Sequence, residues 1–481
     1  MKRHSFTSRC VLAMACGLII ALSLFAAPNK THAAEKTYEI GTDVTFPPFE
    51  YANDNNKYVG IDMDLIRAIA KDQHFNVDIK PLGFNAAIQA VQAGQADGVL
   101  AGMSVTPERK GTFDFSNPYY NSGVVMGVAQ NNNSTKSLND LKGKTVAVKT
   151  GTTGAQYAQS IQKKYGFKIS TFDDSNNVYE DVMTGNSVAC FDDQPVLKYG
   201  INQGTQLKIV TKPAAGTPIG FGVKKGQNQE LLKKFNTGLA NLKKNGQYQK
   251  ILDKYLNAKK STTDNHSFFG ILNQNKVFLW QGFLQTLWLT IVSIVFATII
   301  GVFFGLLGVL PMKFFQGLST TFIYVFRGLP LIVLALFIYT GIPTLIGTKI
   351  PAFTAGVITL MLDEGAYIAA FVKGGIQSVE KGQMEAARSL GLPFGKAMRK
   401  VVLPQGIKLI VPSFINQFII TLKDTSILSV IGIIELTQTG KIIIARNLEG
   451  FKVWAMVALI YLIVITLLTW LSNWGKRRTK I

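Results

Sequence analysis

The sequence predicts a multidomain chain: a polar α/β half, then an all-α membrane half of about five transmembrane helices. Three observations predict this. Residues 35–258 carry short β-like runs that alternate with amphipathic stretches. Residues 282–475 carry apolar stretches long enough to cross hydrocarbon, which takes ~20 residues each. Charged residues are 16% of the chain against 47% hydrophobic, too apolar for disorder and for an ordinary soluble enzyme.

Residues 1–33 read as a secretory signal. Lys2, Arg3 and Arg9 form a basic start, Val11 to Ala27 is apolar, and Thr31-His32-Ala33 ends in a small residue suited to cleavage. An uncleaved anchor is the other reading of the same stretch. Cleavage would leave Cys190 as the single cysteine, which forms no internal disulfide. Three cysteines and four scattered histidines give no zinc spacing, so no metal or other cofactor is expected.

In the polar half, Tyr38-Glu39-Ile40, Val146-Ala147-Val148 and Phe221-Gly222-Val223 read as strands. Asp62 to Asp72 reads as a helix burying Met63, Ile66 and Ala70. Pro107 and Gly111 bracket a basic turn. Such alternation predicts parallel sheets with helical crossovers. Residues 259–281 read as a linker, with the polar run Ser261-Thr262-Thr263-Asp264-Asn265.

Membrane spans are expected at about 283–310, 319–346, 351–371, 407–434 and 452–473. If the polar half is exported, the third connection and the C-terminus lie inside. These carry Lys373, Lys381, Arg388, Lys396, Arg399 and Lys400, and Lys476-Arg477-Arg478-Thr479-Lys480, as the positive-inside rule requires. Lys441, Arg446 and Lys452 fall in a connection expected outside, against that rule. The formal charge of +21 is therefore spread over an exported domain and membrane loops, which suits membrane lipid and argues against a nucleic-acid partner.

The polar half resembles the extracellular solute-binding proteins for polar amino acids, most closely the glutamine-binding ones. The resemblance rests on Gly41-Thr42-Asp43-Val44-Thr45-Phe46-Pro47-Pro48-Phe49-Glu50, Tyr58 to Leu65, Ala101 to Lys110, and Asp114 to Tyr120. The membrane half resembles the permease of a polar-amino-acid ABC importer. Here the residues are Glu385-Ala386-Ala387, Gly391 and Val401-Val402-Leu403-Pro404, the cytoplasmic EAA loop (385–404) of such permeases. Ala366 to Ala369, Gly374 to Ser378 and Leu422 to Ser426 agree with it. Ala370 and Lys373 stand where that family commonly has Glu and Arg, so no role resting on those two is carried over.

The resemblance implies a bilobal, periplasmic-binding-protein-like (type II) domain followed by a MetI-like permease. Lobe one would span about 36–124 and 223–258, and lobe two about 130–218, with crossovers near 124–129 and 218–223. It implies that Arg109 holds the ligand carboxylate, aided by Gly102 and Ser104, and that Asp193 takes the ammonium. A guanidinium fork fits a planar carboxylate. By composition alone, Arg109 reads as a surface arginine and Asp193 as a helix cap. Phe46 and Phe84 would flank the ligand stem, and Asp43 and Lys149 would read its far end. A carboxylate beside an ammonium matches the donor and acceptor of an amide, so glutamine is expected first, then asparagine or glutamate. Thr153, in the run Thr150 to Gly154, would add backbone contacts. Asp192 stands where glutamine binders commonly have His.

The chain carries no phosphate loop: Leu138 occupies the first glycine position ahead of Gly143-Lys144-Thr145. ATP hydrolysis is therefore expected from a separate cytoplasmic ABC ATPase subunit, and the chain itself is not an enzyme. Glu385, Ala386 and Ala387 would form a helix ended by Gly391, and Leu392 to Lys400 a short surface helix. Phe394 and Met398 on that helix would enter a groove of the ATPase. Asp363, Glu364, Lys423 and Asp424 lie in or near hydrocarbon and would line the route or pair across helices. A homodimer through the permease is implied, in the plasma membrane with the binding domain outside. A ligand-gated channel and an amino-acid receptor are the competing classes.

Overall fold

Among the described residues fourteen strands build the polar half: β1 (Thr37–Thr42), β2 (Thr45–Phe46), β3 (Glu50–Ala52), β4 (Tyr58–Val59), β5 (Asn76–Pro81), β6 (Gly98–Val99), β7 (Phe113–Phe115), β8 (Tyr120–Ala129), β9 (Thr145–Lys149), β10 (Lys168–Phe172), β11 (Ala189–Asp193), β12 (Leu207–Ile209), β13 (Ala214–Ile219) and β14 (Gly222–Lys224). Between them run α1 (Ile61–Asp72), α2 (Phe84–Gln92), α3 (Thr153–Tyr165), α4 (Ser175–Met183) and α5 (Gln194–Asn202), with α6 (Gln229–Lys244) and α7 (Gln247–Leu256) at the end. The structure is a computed structural model that describes residues 35–53, 55–256 and 267–478. The expected signal, residues 1–33, the polar run of the linker and the last residues of the basic tail lie outside the described residues.

Two sheets make two lobes. Lobe one has the order β5-β1-β6-β14-β7, and lobe two β10-β9-β11-β8-β12 with β13 also on β8. The expectation of parallel sheets holds only in part. β1 and β6 are parallel, as are β9 with β10 and β11, but β8 runs antiparallel to β11, β12 and β13. The return strands cross between lobes rather than over a helix, so they enter reversed. Tyr120 pairs with Ile219, so the chain changes lobe at about residues 116–120. This is earlier than the 124–129 expected, because β8 runs unbroken from the crossing into the second sheet. Met63, Ile66 and Ala70 are buried on α1, as their spacing requires.

The membrane half contains α8 (Phe268–Leu307), α9 (Lys313–Gly328), α10 (Leu331–Leu336), α11 (Ile342–Ile346), α12 (Ala352–Gln377), α13 (Lys381–Ser389), α14 (Phe394–Ala397), α15 (Leu403–Asp424), α16 (Leu436–Asn447) and α17 (Gly450–Arg478). Among the described residues four helices are long and apolar enough to cross a membrane, and the pair Lys313–Gly328 and Leu331–Ile346, bent by 100°, makes a fifth if it counts as one broken span. Pro330, which lacks an N–H, stands at the bend. Residues 268–281, expected within the linker, are helical: no proline interrupts Phe268–Leu307, so the span extends outward as one helix. On α8, Trp280, Leu284, Trp288, Ile291, Val295 and Ile299 form an exposed apolar stripe. Its opposite face carries Gly301 and Gly305 against α12, where a Cβ would stand 2.6 Å from Ile368 and from Val372.

From Tyr38 onward the chain is one compact unit. A single apolar cluster joins Leu82, Phe84 and Ala87 of lobe one to Leu289, Leu334 and Leu428 of the membrane half. Lobe two has separate cores, around Val146 and Phe191 and around Tyr179 and Leu197. Helix α16 packs on β2 and β3 of lobe one and on α4 of lobe two. One of the three charges that fell outside the expected positive-inside pattern, Arg446, lies in this contact. Arg446 donates to the Asn53 carbonyl of the binding half and to Asn275 Oδ1 of α8, so its charge bridges the two halves.

Candidate functional site

The residues nominated by sequence converge on one cleft between the lobes. Its walls are Phe46, Phe84, Ala101, Gly102, Ser104, Arg109, Lys149, Thr152, Thr153 and Asp193. Arg109 opens a short 3-10 turn (Arg109–Gly111) after Pro107, and it is buried. Its Nη1 donates to the Ser104 carbonyl (2.8 Å), its Nη2 crosses to the Gly151 carbonyl of lobe two (2.7 Å), and its guanidinium lies 5.2 Å over the Phe84 ring. Thr153 Oγ1 also crosses, donating to Ser104 Oγ at 2.7 Å. Thr152 caps α3 by accepting from Ala155 N at 3.3 Å. The positive end of that helix dipole thus faces the same corner as Arg109, and the corner suits an anion.

Asp193 sits across the cleft at the end of β11. Its Oδ1 accepts from Ser122 Oγ at 2.7 Å. It occupies the cap position of α5, but no side-chain cap bond forms, so the carboxylate is left for the cleft. Its neighbour Asp192 is engaged elsewhere, accepting from Tyr179 Oη (2.6 Å) and from the Asp193 N–H (2.8 Å). Burial, and then the Asp192 charge, push the Asp193 pKa up to about 7.

Asp43 reaches the cleft through Lys149, whose ammonium it holds in a fully buried pair that crosses the lobes. Burial alone would raise Asp43, but the Lys149 charge and two Thr45 donors hold it below the usual carboxylate range. The Lys149 ammonium lies 4.7 Å over the Phe46 ring. Each aromatic therefore stacks on a cation, and the two do not pair with each other.

Gly102 differs from expectation. Its N–H donates to Asp62 Oδ2 at 2.8 Å, so the group it can turn to a ligand is its carbonyl. Its φ is 55°, and a Cβ would stand 2.9 Å from Phe46, so a side chain is excluded there. Asp62 also accepts from Tyr119 Oη (2.8 Å), and burial raises its pKa to about 7. Ser122, Asp62 and Thr152 were not nominated by sequence. Thr152 lies in the legible Thr/Gly run. Ser122 reaches Asp193 only because β8 pairs antiparallel with β11, Val124 opposite Asp193.

In the membrane half, α13 exposes Glu385 and Ala386 and buries Ala387. Gly391, at φ 83°, ends it: Leu392 N bonds to Ala387 O (3.2 Å) and Gly391 N to Arg388 O (2.9 Å), a Schellman arrangement. The separate surface helix expected at Leu392 to Lys400 does not form. α14 runs through a π turn (Met398–Val402) straight into α15. Pro404 cannot bond to the Lys400 carbonyl, and the wider turn absorbs that loss. Met398 turns inward, against the cluster of Ile376, Val402 and Ile410, and Phe394 is half-buried. Leu390, unmarked in the sequence reading, is the apolar residue this turn presents, 85% exposed. The carboxylates of Asp363, Glu364 and Asp424 lie within 4.8 Å of one another, and Glu364 accepts from Gln417.

A two-lobed cleft with opposed guanidinium and carboxylate, joined to a bundle of spanning helices, is the build of a receptor fused to a permease. Comparison with known families agrees on both halves. Residues 38–258 match the bacterial extracellular solute-binding proteins, family 3. Residues 277–481 match the binding-protein-dependent transport system inner membrane component. The glutamine transport system permease protein of Escherichia coli (strain K12) is 37% identical over 204 residues, 42% of this chain and 93% of that one. The ABC transporter arginine-binding protein 1 of the same strain is 32% identical over 243 residues, 50% of this chain and 98% of that one. A solved substrate-binding domain of a Lactococcus lactis relative is 44% identical, covering 48% of this chain and 98% of that one, with a TM-score of 0.38. The chain belongs to these two families in one polypeptide: it is a polar amino-acid ABC importer component, binding protein and permease fused, and a membrane protein.

Proposed function

We propose that this chain captures glutamine outside the cell and passes it to its own membrane half, driven by a separate cytoplasmic ATPase. The observation that carries the reading is the opposition of Arg109 and Asp193 across one cleft, with the Lys149–Asp43 pair at its far end. An α-amino acid offers a carboxylate to the first and an ammonium to the second. A side-chain amide meets both a donor and an acceptor at the third. Arginine is the second reading. Asp174 adds a carboxylate beside that pair, accepting from Thr45 Oγ1 at 3.3 Å, and acidic surroundings suit a guanidinium.

The exposed Glu385, Ala386 and Leu390 around the Gly391 turn form the ATPase-facing surface, and they favour an importer over a channel or a receptor. A permease of this size forms a pathway with a second copy, so the assembly is two chains with two ATPases in the plasma membrane. Asp363, Glu364 and Asp424 line its route.

The test is calorimetry on the full chain in lipid nanodiscs with each of the twenty amino acids. Glutamine should bind, and Arg109→Ala should weaken it at least ~100-fold, the loss expected when a buried charged partner is removed. Tight binding of a sugar or a metal ion, with no response to any amino acid, would overturn the reading.

A further inference from the structure

The two lobes meet the membrane half in different ways. Lobe one is held by polar and apolar contacts together. Pro343 has no N–H to give the Tyr339 carbonyl, four residues earlier in the helix, and that carbonyl accepts from Gln95 Nε2 of lobe one at 2.6 Å. The same Gln95 side chain accepts from Ile350 N at 3.1 Å, so both ends of its amide are used. Lys349 pairs with Glu39 (2.6 Å) and Asp97 (3.2 Å). Gly432, at φ 83°, leaves room for Leu82, which would stand 2.3 Å from a Cβ there.

Lobe two touches the membrane half through α4. The Glu180 carboxylate lies against Gly450, the first residue of the last spanning helix. The approach is close: a Cβ on Gly450 would stand 1.9 Å from Glu180 Oε1. A carboxylate is favoured at a helix N-terminus, where N–H groups lack partners. Lys441 of α16 lies within electrostatic reach of Asp174, one residue before α4. Helix α4 packs on β9 and β11, the strands that carry Lys149 and Asp193. Lobe two is tied to lobe one at the ligand cleft by Arg109, Thr153 and Lys149.

We propose that lobe one is a standing dock, and that lobe two reports closure to the permease by placing Glu180 on the first turn of the last span. Opening the cleft would swing α4 away as one body with β9 and β11, and Glu180 would leave Gly450. The idea rests on the amino-acid reading of the cleft.

The test uses the full chain in nanodiscs, with Cys10, Cys16 and Cys190 replaced by serine. Two cysteine pairs are compared with a short bifunctional thiol reagent: Glu180→Cys with Gly450→Cys, and Glu39→Cys with Lys349→Cys. The probe is L-glutamine, or L-arginine if glutamine gives no heat of binding. The first pair should cross-link severalfold more with the amino acid than without it, and the second equally in both. A first pair indifferent to ligand, or a second pair lost without it, overturns the proposal. Glu180→Ala should also weaken ligand binding by about fivefold, the low end of ordinary coupling between sites, and unchanged affinity would count against it. No heat from any amino acid would sink the underlying reading first. Heat with a ligand-indifferent first pair would sink this proposal alone.

Discussion

Asp193 faces two opposed demands. In the proposed binding role it must be ionised to take an ammonium, yet burial and Asp192 keep its proton on up to about pH 7. A bound ammonium would lower that pKa, so below pH 7 binding releases a proton. Affinity should therefore fall by about tenfold per unit as pH drops below 7, the slope of a single linked proton. Titration in buffers of different ionisation heat reads the proton directly; an affinity constant from pH 5 to 8 would place the ammonium elsewhere. Glu50 gives a stability counterpart. It is fully buried beside Asp62, and burial first and the Asp62 charge second hold its pKa well above normal. The unfolded carboxyl loses its proton near pH 4. This group's contribution to stability thus falls as pH rises from there towards the folded value. Glu50→Gln should keep or raise the melting temperature at neutral pH and flatten its pH dependence. A large drop would show that the carboxyl itself is needed. Of the cleft, the motif residues were legible in the sequence. Asp62 and Ser122 were not, because their roles follow from strand pairing and from Gly102 turning its N–H inward.

At the scale of elements, prolines told more than periodicity. Pro404 and Pro343 are plain in the sequence, but the wide turns ahead of them (Met398–Val402 and Phe337–Gly341) are not. A helical pattern of apolar residues looks the same whether the bonds close at four residues or five. Antiparallel β8 was equally hidden: its apolar run fits any buried strand, and its direction is set by crossing between lobes. The Gly391 turn, by contrast, was legible, since a left-handed residue after a helix favours glycine. Gly391→Ala should strain this turn by about 1–2 kcal/mol, and Gly391→Pro should abolish it, because proline cannot adopt φ 83°. Uptake by reconstituted vesicles should then fail while ligand affinity stays within about twofold. Normal uptake in the proline variant would remove the turn from the coupling step.

For the whole molecule, the distribution of cores sets the mechanics. Lobe one shares an apolar cluster with the membrane helices, and lobe two keeps its own. Amide exchange should accordingly show β9 and β11 opening at lower free energy than β6 and α2, which share that cluster with the membrane half. Ligand should raise protection most in lobe two. Uniform protection across both lobes would contradict the division. Fusion also fixes the local supply of receptor, since a tethered module works at roughly millimolar effective concentration. The Gln95–Tyr339 contact carries a consequence for exchanging capture modules between such importers. The acceptor is main chain, exposed by Pro343, so substituting the Tyr339 side chain does not erase it. A foreign module that brings no carboxamide to that spot would leave this carbonyl without its partner, whatever side chain stands at position 339.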